Sequence, residues 1–267
     1  MSIDIEDSAR VRLIRMNRPE VLNALDPDSM QRLAAALIGF RDHPDLDVAI
    51  ITGEGTKAFC TGADLRRTLP DQTPFAAAHL NSWQNAVDAG TYIRAITLHE
   101  LGIAKPLIAA INGHAIGGGL EIALECHLRI ASTTATFGLP EARWASVPGA
   151  GGVSNLLRCM PPAVAMKMLL TGERIDAATA LAHGLVSDVT EPEALLDQAM
   201  SLAQRVVANG PLALKAITTM AARTAEMTLS QSIATEHLMW GLLRDTHDRI
   251  EGRAAFAEKR SPIYSST

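Results

Sequence analysis

Two apolar runs, each ended by a glycine, limit most strongly what this chain can fold into. Residues 48–53 read VAIITG and residues 106–113 read PLIAAING, and a third apolar run, LRIA, occupies residues 128–131. Continuous apolar runs of this length are typical of parallel strands that are buried on both faces. Helical patterns lie between the runs, so the sequence predicts an α/β core with mostly parallel strands.

The remaining pattern changes in character near residue 150. Residues 3–16 predict two short strands, and residues 27–41 predict a helix with Asp26 as its N-cap and Pro27 at its first position. Residues 73–104 have a mostly helical pattern. After residue 150 helical segments dominate, and we expect them at 152–160, 162–170, 176–183, 193–208, 211–225 and 228–246.

Charge and aromatic content argue against a nucleic-acid partner. The 267 residues, enough for about one and a half to two domains, include 29 acidic and 24 basic side chains, for a net charge of −5. Binding to a phosphate backbone requires clustered Lys and Arg, and stacking on bases requires aromatic side chains, which make up only 4% here. We therefore expect no nucleic acid among the partners.

The cysteines and the apolar segments indicate a cytoplasmic chain without a membrane segment. Cys60, Cys126 and Cys159 are odd in number and show no CxxC spacing, so neither a disulfide framework nor a zinc site is expected. Reduced thiols are usual in the cytoplasm. The first residues lack the apolar stretch of a signal peptide, and no window contains 18 uninterrupted apolar residues.

A run of three glycines, residues 117–119, follows the second apolar run and is succeeded by Leu120 and Glu121. Glycines between a strand and a helix leave backbone N–H groups accessible, and the helix N-terminus adds a partial positive charge. Such a segment is either an anion or oxyanion site or a tight packing joint. It has neither the GxGxxG spacing of dinucleotide sites nor the Gly-Lys-Ser/Thr of a P-loop.

A second segment with accessible backbone is FCTGADL, residues 59–65, in which Ala63 can present its N–H and Asp64 can cap the next turn. An ordinary loop is the alternative interpretation. Two such N–H groups suit a carbonyl oxygen that becomes an enolate or a tetrahedral oxyanion, where each donor is worth about 10²–10³ in rate.

Glutamates lie close to these glycines and are candidates for acid–base chemistry. Glu121 falls in the first turn of the predicted helix, Glu141 follows 20 residues later, and Glu125 could equally face solvent. Sequence spacing does not give their separation in space, and ordinary helix-start carboxylates are the alternative. His114 is interpreted as structural and Cys60 as a core or spacer residue, because no GxSxG, HExxH or activating base accompanies them.

Taken together, several segments resemble the crotonase (enoyl-CoA hydratase/isomerase) family. The matching stretches are RMNRPEVLNAL (15–25), KAFCTGADL (57–65), KPLIAAINGHAIGGGLEIALEC (105–126), TFGLPEARWASVPGAGG (136–152), LLTGERIDAATALAHGLVSDV (169–189) and EGRAAFAEKRSP (251–262). They cover nearly the whole chain, with the weakest match at 66–104. The ordered set is specific, although each piece alone would be weak.

The resemblance implies a spiral of ββα turns with a C-terminal helical region, assembled as a homotrimer or as a hexamer of two trimers. Residues 1–195 would form the α/β core with an acyl-CoA site, and residues 196–267 the helical region for assembly and active-site cover. The family binds acyl-CoA thioesters in fatty acid metabolism. No metal or other cofactor is expected, because coenzyme A enters as part of the substrate.

The resemblance also assigns residues by position. The oxyanion hole falls on the backbone N–H groups of Ala63 and Gly118, and the two catalytic glutamates of hydratase members fall on Glu121 and Glu141. The amide that helps hold the water falls on Gly149. The remaining positions expected to contact CoA or the acyl group are Asp64, Leu65, Trp144, Phe256 and Lys259, the last two sometimes across a subunit boundary.

The expected reaction is reversible hydration of a 2-trans-enoyl-CoA to a 3-hydroxyacyl-CoA. Because the helix N-terminus favours an ionised Glu121, we expect Glu121 to be the base and Glu141 the acid. The alternatives are a 3,2-enoyl-CoA isomerase, or a hydratase or dehydratase of a branched, aromatic or carnitinyl thioester. A non-catalytic acyl-CoA- or RNA-binding protein on this fold is more remote. The segment WASVPGAGGVSNLL (144–157) departs from the family pattern, which leaves the acyl-chain preference open.

Overall fold

The structure is a computed structural model that describes residues 2–67 and 96–267. The strands in these ranges are β1 (Ile3–Ser8), β2 (Val11–Met16), β3 (Val48–Gly53), β4 (Ala58–Cys60), β5 (Leu107–Ile111), β6 (His114–Ile116), β7 (Leu128–Ser132), β8 (Thr136–Gly138), β9 (Ile175–Asp176) and β10 (Asp188–Thr190). The α-helices are α1 (Pro27–Asp42), α2 (Gly118–Glu125), α3 (Gly152–Cys159), α4 (Pro162–Thr171), α5 (Ala177–Ala182), α6 (Leu195–Val207), α7 (Pro211–Thr224), α8 (Leu229–Leu243) and α9 (His247–Glu258).

The larger sheet has six strands in the order β1-β2-β3-β5-β7-β10. Only β1 runs antiparallel to its neighbour, and the other pairings are parallel. Every residue of β3 and β5 is buried, as their continuous apolar runs predict. Helix α6 covers one face of this sheet through Leu195, Ala199 and Ala203, and the main apolar core covers the other.

A second sheet of four short strands, in the order β4-β6-β8-β9, stands beside the first. The chain alternates between the sheets, so that β5 leads to β6 and then to α2, and β7 leads to β8. This alternation is the ββα spiral predicted from the resemblance. Strand β4 lies where the sequence analysis expected a loop from residue 59, because a three-residue strand is too short to show a period.

Local sequence signals locate the first helix correctly. The side chain of Asp26 accepts a hydrogen bond from the Ser29 amide at 2.9 Å, and Pro27 takes the first helical position. Apolar residues of α1 then face the core, among them Leu33, Leu37 and Phe40. The prediction of this helix is confirmed, with an end at residue 42 instead of 41.

The C-terminal part of the chain is helical, as predicted, and its helices end within a few residues of the expected positions. Helix α8 has no buried residue. The expected helix over residues 73–104 lies mostly outside the described residues, and within 96–104 only a short 3-10 helix, Leu98–Leu101, is seen. Among the described helices, none is both long enough and apolar enough to cross a membrane.

Candidate active site

The glycine run forms a sharp junction between β6 and α2. Gly117 has φ +56°, a conformation that favours glycine, and its amide donates to the carbonyl of Gly138 at 2.9 Å. Helix α2 then begins at Gly118, whose N–H lies in the first turn and therefore has no partner within the helix. The segment is thus both a packing joint and a source of an accessible N–H group.

The loop after β4 lies directly against this junction. Gly62 has φ +84°, and a methyl group added to it would lie only 2.8 Å from the Gly118 amide nitrogen. Ala63 forms a bridge with Leu25 that uses the carbonyl of Gly62 and the amide of Asp64, at 2.8 Å each, and not its own amide. The two amides that the sequence analysis selected, on Ala63 and Gly118, therefore lie on adjoining segments.

Two charged side chains, Arg18 and Asp64, hold the loop that follows β4 in place. Arg18 donates to the carbonyl of Ala24 at 2.6 Å and to the carboxylate of Asp64 at 3.1 Å. Asp64 is buried, and its carboxylate also accepts from the amide of Arg66 at 3.2 Å. This buried carboxylate therefore orients the residues around Ala63. This structural role of Asp64 does not require a contact with substrate.

Glu121 is a buried carboxylate held by backbone amides. The residue is only 4% exposed, and its Oε1 accepts hydrogen bonds from the amides of Ala150 at 2.7 Å and Gly152 at 2.9 Å. Burial raises the pKa of Glu121, and the two N–H groups counteract this because they stabilise the ionised form. Glu121 is thus positioned by the loop that precedes α3.

Glu141 lies on the other side of the glycine junction. It begins the 3-10 helix Glu141–Trp144, and a methyl group added to Gly117 would lie 3.1 Å from its Oε1. Burial, with a smaller contribution from the charge of Glu121, raises the pKa of Glu141 to about 7. Its Oε2 is buried without a hydrogen-bond partner among the described residues.

The parallel register of the second sheet explains how the two glutamates meet. Ile116 of β6 pairs with Gly138 of β8, so the residues that follow each strand emerge at the same edge. Glu121 and Glu141 are close enough for the charge of one to raise the pKa of the other. Two loop amides favour the charge of Glu121, whereas the only backbone donor that favours the charge of Glu141 is its own amide, and this difference suits a base paired with an acid.

An apolar side chain covers the Gly118 side of the junction. Cδ1 of Ile96 would lie 2.8 Å from a methyl group added to Gly118, and Ile96 is 3% exposed. A dry contact of this kind strengthens hydrogen bonds from nearby amides, because it lowers the local dielectric constant.

The other predicted site residues are exposed in the chain. Leu65 and Trp144 are 56% and 72% exposed, and Gly149 is also exposed. Phe256 is 88% exposed in the last turn of α9, and Lys259 caps the C-terminus of that helix. Their contacts with CoA, and the water contact of Gly149, stay predictions.

The residues that hold Glu121 were not predicted from the sequence. Both donors lie in the segment 144–157, but its sequence does not show that the amides of Ala150 and Gly152 donate to that carboxylate. Glu125, which the sequence left equally compatible with a position in solvent, is half-buried, and its carboxylate accepts a hydrogen bond from the His99 amide. Among residues 2–67 and 96–267, no three His, Cys, Asp or Glu side chains form a group that could hold a metal ion.

Comparison with known proteins places this geometry in a family. The family model described as enoyl-CoA hydratase/isomerase matches residues 6–267. The (E)-benzylidenesuccinyl-CoA hydratase of Thauera aromatica is 47% identical over 264 residues, covering 99% of both chains. The carnitinyl-CoA dehydratase of Escherichia coli K12 is 36% identical over 269 residues, covering 98% of both.

Solved structures agree with the sequence relatives. The crystal structure of an enoyl-CoA hydratase from Bacillus anthracis superimposes with a TM-score of 0.90 at 32% identity, covering 100% of both chains. That of an enoyl-CoA hydratase from Mycobacterium tuberculosis H37Rv gives 0.89 at 33% identity, covering 100% of this chain and 99% of the other. The chain therefore belongs to the crotonase (enoyl-CoA hydratase/isomerase) family and is an enoyl-CoA hydratase-like enzyme of the hydro-lyase class.

Proposed function

We propose that this enzyme catalyses the reversible hydration of a 2-trans-enoyl-CoA to a 3-hydroxyacyl-CoA. The observation that carries the proposal is the pair of carboxyls, of buried Glu121 and half-buried Glu141, on either side of the glycine junction. One accepts two backbone N–H bonds, and the other has a pKa raised to about 7 and a buried oxygen without a described partner. Water chemistry needs both a proton acceptor and a proton donor at this place.

The amides of Ala63 and Gly118 would bind the thioester oxygen. During addition, negative charge moves from C3 through C2 onto this oxygen, and preorganised N–H donors stabilise it without reorganisation. Ala63 and Gly118 are supported in this role by the close approach of Gly62 to the Gly118 amide. The positive end of α2 adds to the stabilisation.

The two glutamates would divide the proton transfers. Ionised Glu121 accepts a proton from water as the hydroxyl oxygen bonds to C3 of the enoyl group. Protonated Glu141 donates its proton to C2 as the enolate collapses, so that one water is added across the double bond. The forward step leaves Glu121 protonated and Glu141 ionised, so proton exchange with solvent restores both groups before the next turnover. Dehydration reverses the transfers: Glu141 takes the proton from C2, and Glu121 gives its proton to the departing hydroxyl.

The relatives favour a substituted acyl group as a second candidate substrate. The two named relatives are a benzylidenesuccinyl-CoA hydratase and a carnitinyl-CoA dehydratase. Both names describe addition or removal of water on an acyl group larger than a simple straight chain. A hydratase or dehydratase of an aromatic, branched or carnitinyl thioester therefore stands beside the straight-chain proposal.

Proton transfer alone, as in a 3,2-enoyl-CoA isomerase, is the weaker alternative. Moving a proton between C2 and C4 requires one well-placed base, whereas this site presents two carboxyls with different environments. Product analysis by NMR in D₂O separates the reactions, because hydration adds oxygen to C3 and isomerisation does not.

The C-terminal helices support assembly with further copies of this chain. Large apolar side chains on α8 and α9 are exposed, and they comprise Leu229, Ile233, Leu238, Trp240, Leu242, Ile250 and Phe256. Several exposed large apolar side chains on neighbouring helices are more typical of a protein interface than of a free surface. We therefore retain the homotrimer or hexamer, located in the cytoplasm, as part of the proposal, with Phe256 and Lys259 reaching CoA from this region.

The test measures hydration of crotonyl-CoA and of an aryl-substituted enoyl-CoA by wild type, Glu121→Gln and Glu141→Gln. Each variant should lose about 10²–10⁴ in kcat, since general acid or base catalysis contributes this much. Glu226→Gln, at a site that is 85% exposed, is the matched control and should keep wild-type turnover. Near-native turnover of both site variants would contradict the two-carboxyl mechanism.

A further inference from the structure

A third carboxylate, that of Glu125, lies one turn beyond Glu121 on α2. Residues four apart share one face of a helix, so both carboxylates point toward the same neighbouring segments. Oε2 of Glu125 accepts a hydrogen bond from the amide of His99. Its Oε1 lies beside Gly151, where an added methyl group would be 3.3 Å away.

Gly151 connects the two residues that hold Glu121. The amides of Ala150 and Gly152 donate to Oε1 of Glu121, and Gly151, with φ +90°, makes the turn between them. The carboxylates of α2 therefore contact three consecutive residues, one through hydrogen bonds and the other through close packing. A shift of this loop away from Glu125 would move the donors of Glu121.

Glu125 also connects this loop to the oxyanion side of the site. His99 belongs to the 3-10 helix Leu98–Leu101, which follows Ile96 by two residues, and Ile96 packs on Gly118. The accepted hydrogen bond from His99 thus joins the cover of the oxyanion amide to the helix that carries the base. One side chain contacts both halves of the site without reaching the reacting atoms.

Such a carboxylate is costly to bury, which argues for a specific role. Burial raises the pKa of Glu125 to about 7, and the charges acting on it are those of Glu121 on its own helix and Glu100 on the 98–101 turn, both of the same sign. An apolar residue would fill a core position on α2 without this cost. Exceptions to the rule that buried helix positions carry apolar residues are commonly found at functional sites.

We propose that Glu125 is a positioning residue for Glu121: by accepting the His99 amide and packing on Gly151, it keeps the loop 150–152 and the segment 96–101 fixed on α2. The inference rests on the proposed hydration for its kinetic consequence, but its structural consequence is independent of the reaction. It concerns the placement of a base and an oxyanion cover, and Glu125 itself does not touch substrate.

The test compares Glu125→Leu, which removes the acceptor, with Glu125→Gln, which keeps an oxygen for the His99 amide. Glu193→Gln, at an exposed carboxylate just before α6, is the charge-matched control. Hydrogen–deuterium exchange of the peptide covering 147–156 and steady-state kinetics with crotonyl-CoA are measured for each.

The Glu125→Leu variant should show faster exchange at the Ala150 and Gly152 amides and a kcat lowered about tenfold, with KM changed less than twofold. Gln should restore both properties to within about threefold of wild type, as for the control.

Unchanged exchange and kcat in the folded Leu variant would overturn the inference, as would a Gln variant no better than Leu. If the Leu variant fails to fold, the Gln variant decides: protected amides and near-normal kcat support the positioning role, and exposed amides overturn it. Faster exchange in Leu, combined with a wild type that hydrates no enoyl-CoA, would refute the proposed function and leave the positioning role standing.

Discussion

Helices α2 and α8 are both rich in apolar residues, yet the chain treats them in opposite ways. Seven of the eight residues of α2 are buried, including Glu121, whereas α8 has none buried over 15 residues. Leu229 and Trp240 of α8 are 76% and 63% exposed. Apolar content therefore does not decide burial. The surrounding strands enclose α2 within one chain, and α8 presents a surface that suits a second copy.

The difference matters for chemistry as well as for packing. Around α2 the burial of the carboxyls raises the pKa values of Glu121, Glu125 and Glu141. The side chains of α8 are exposed to solvent in the single chain. Carboxyls whose pKa values depend on burial must lie in the core of the chain. Contacts between copies of the chain, in contrast, would use apolar side chains that remain exposed on its surface.

Adding a methyl group within each helix is the most severe test of this contrast. In Gly119→Ala the new methyl carbon would lie 2.0 Å from the carbonyl oxygen of Cys60, a backbone atom that cannot yield without moving β4. We expect loss of soluble folded protein, or a turnover reduced by more than about 10³ because the amides of Ala63 and Gly118, the proposed oxyanion donors, both shift. Thermal unfolding and crotonyl-CoA hydration measure the two outcomes.

Gly241→Ala in α8 is the matched control. Apart from the neighbouring residues and backbone of α8 itself, no atom in the part of the chain that the structure describes lies within 4 Å of the added methyl group, and alanine favours a helix by about 1 kcal/mol over glycine. This variant should fold with an unchanged or raised melting temperature. A Gly119→Ala protein as stable and active as Gly241→Ala would show that α2 is not enclosed in the way described.

Much of this contrast could be predicted from the sequence, but one essential part could not. The continuous apolar runs of β3 and β5 and the cap at Asp26 located the larger sheet and α1. Strands β4, β6 and β8 have three residues each, too few for a pattern. Since their register brings Glu141 beside the glycine junction, sequence spacing alone could not show that Glu141 meets Glu121. The family resemblance supplied that pairing.

The loop donors of Glu121 were beyond prediction for a similar reason. Ala150 and Gly152 hold Glu121 across 29 and 31 residues through backbone amides, which any amino acid except proline carries. Only the tertiary path of the chain selects them. Glu125 was open to either interpretation, because a glutamate at this spacing is equally compatible with a solvated helix face.

The pH dependence of turnover probes the buried side of the contrast. Glu141 must carry a proton to act as the acid, and its pKa is raised to about 7, so kcat/KM should fall as the pH rises above 7. A single ionisation lowers the rate about tenfold per pH unit beyond its pKa. On the acid side, kcat/KM should fall as Glu121 takes up a proton, at a pH above the ordinary range of a glutamate.

Steady-state kinetics between pH 5 and pH 9 check this expectation, with protein stability followed at each pH. Because the two carboxyls interact, the limbs of the bell report values of the pair. A profile that stays flat from pH 6 to pH 9 would mean that neither carboxyl titrates in the catalytic step.

A charge placed on α8 tests the exposed side, with the smallest expected effect on catalysis. Leu238 is 62% exposed, so Leu238→Lys should leave the fold of the single chain intact. If a second copy covers this surface, burial of the unpaired ammonium opposes assembly, and light scattering after gel filtration should show a shift toward smaller species. Ile5→Lys, at a 50% exposed residue on the edge strand β1, is the control and should keep the wild-type mass.

Turnover per chain of Leu238→Lys should fall only a few-fold, because Glu121 and Glu141 are held by residues of the same chain. A mass unchanged by the Leu238 substitution would place the interface elsewhere, and a large loss of turnover with unchanged mass would show that α8 acts on the site directly.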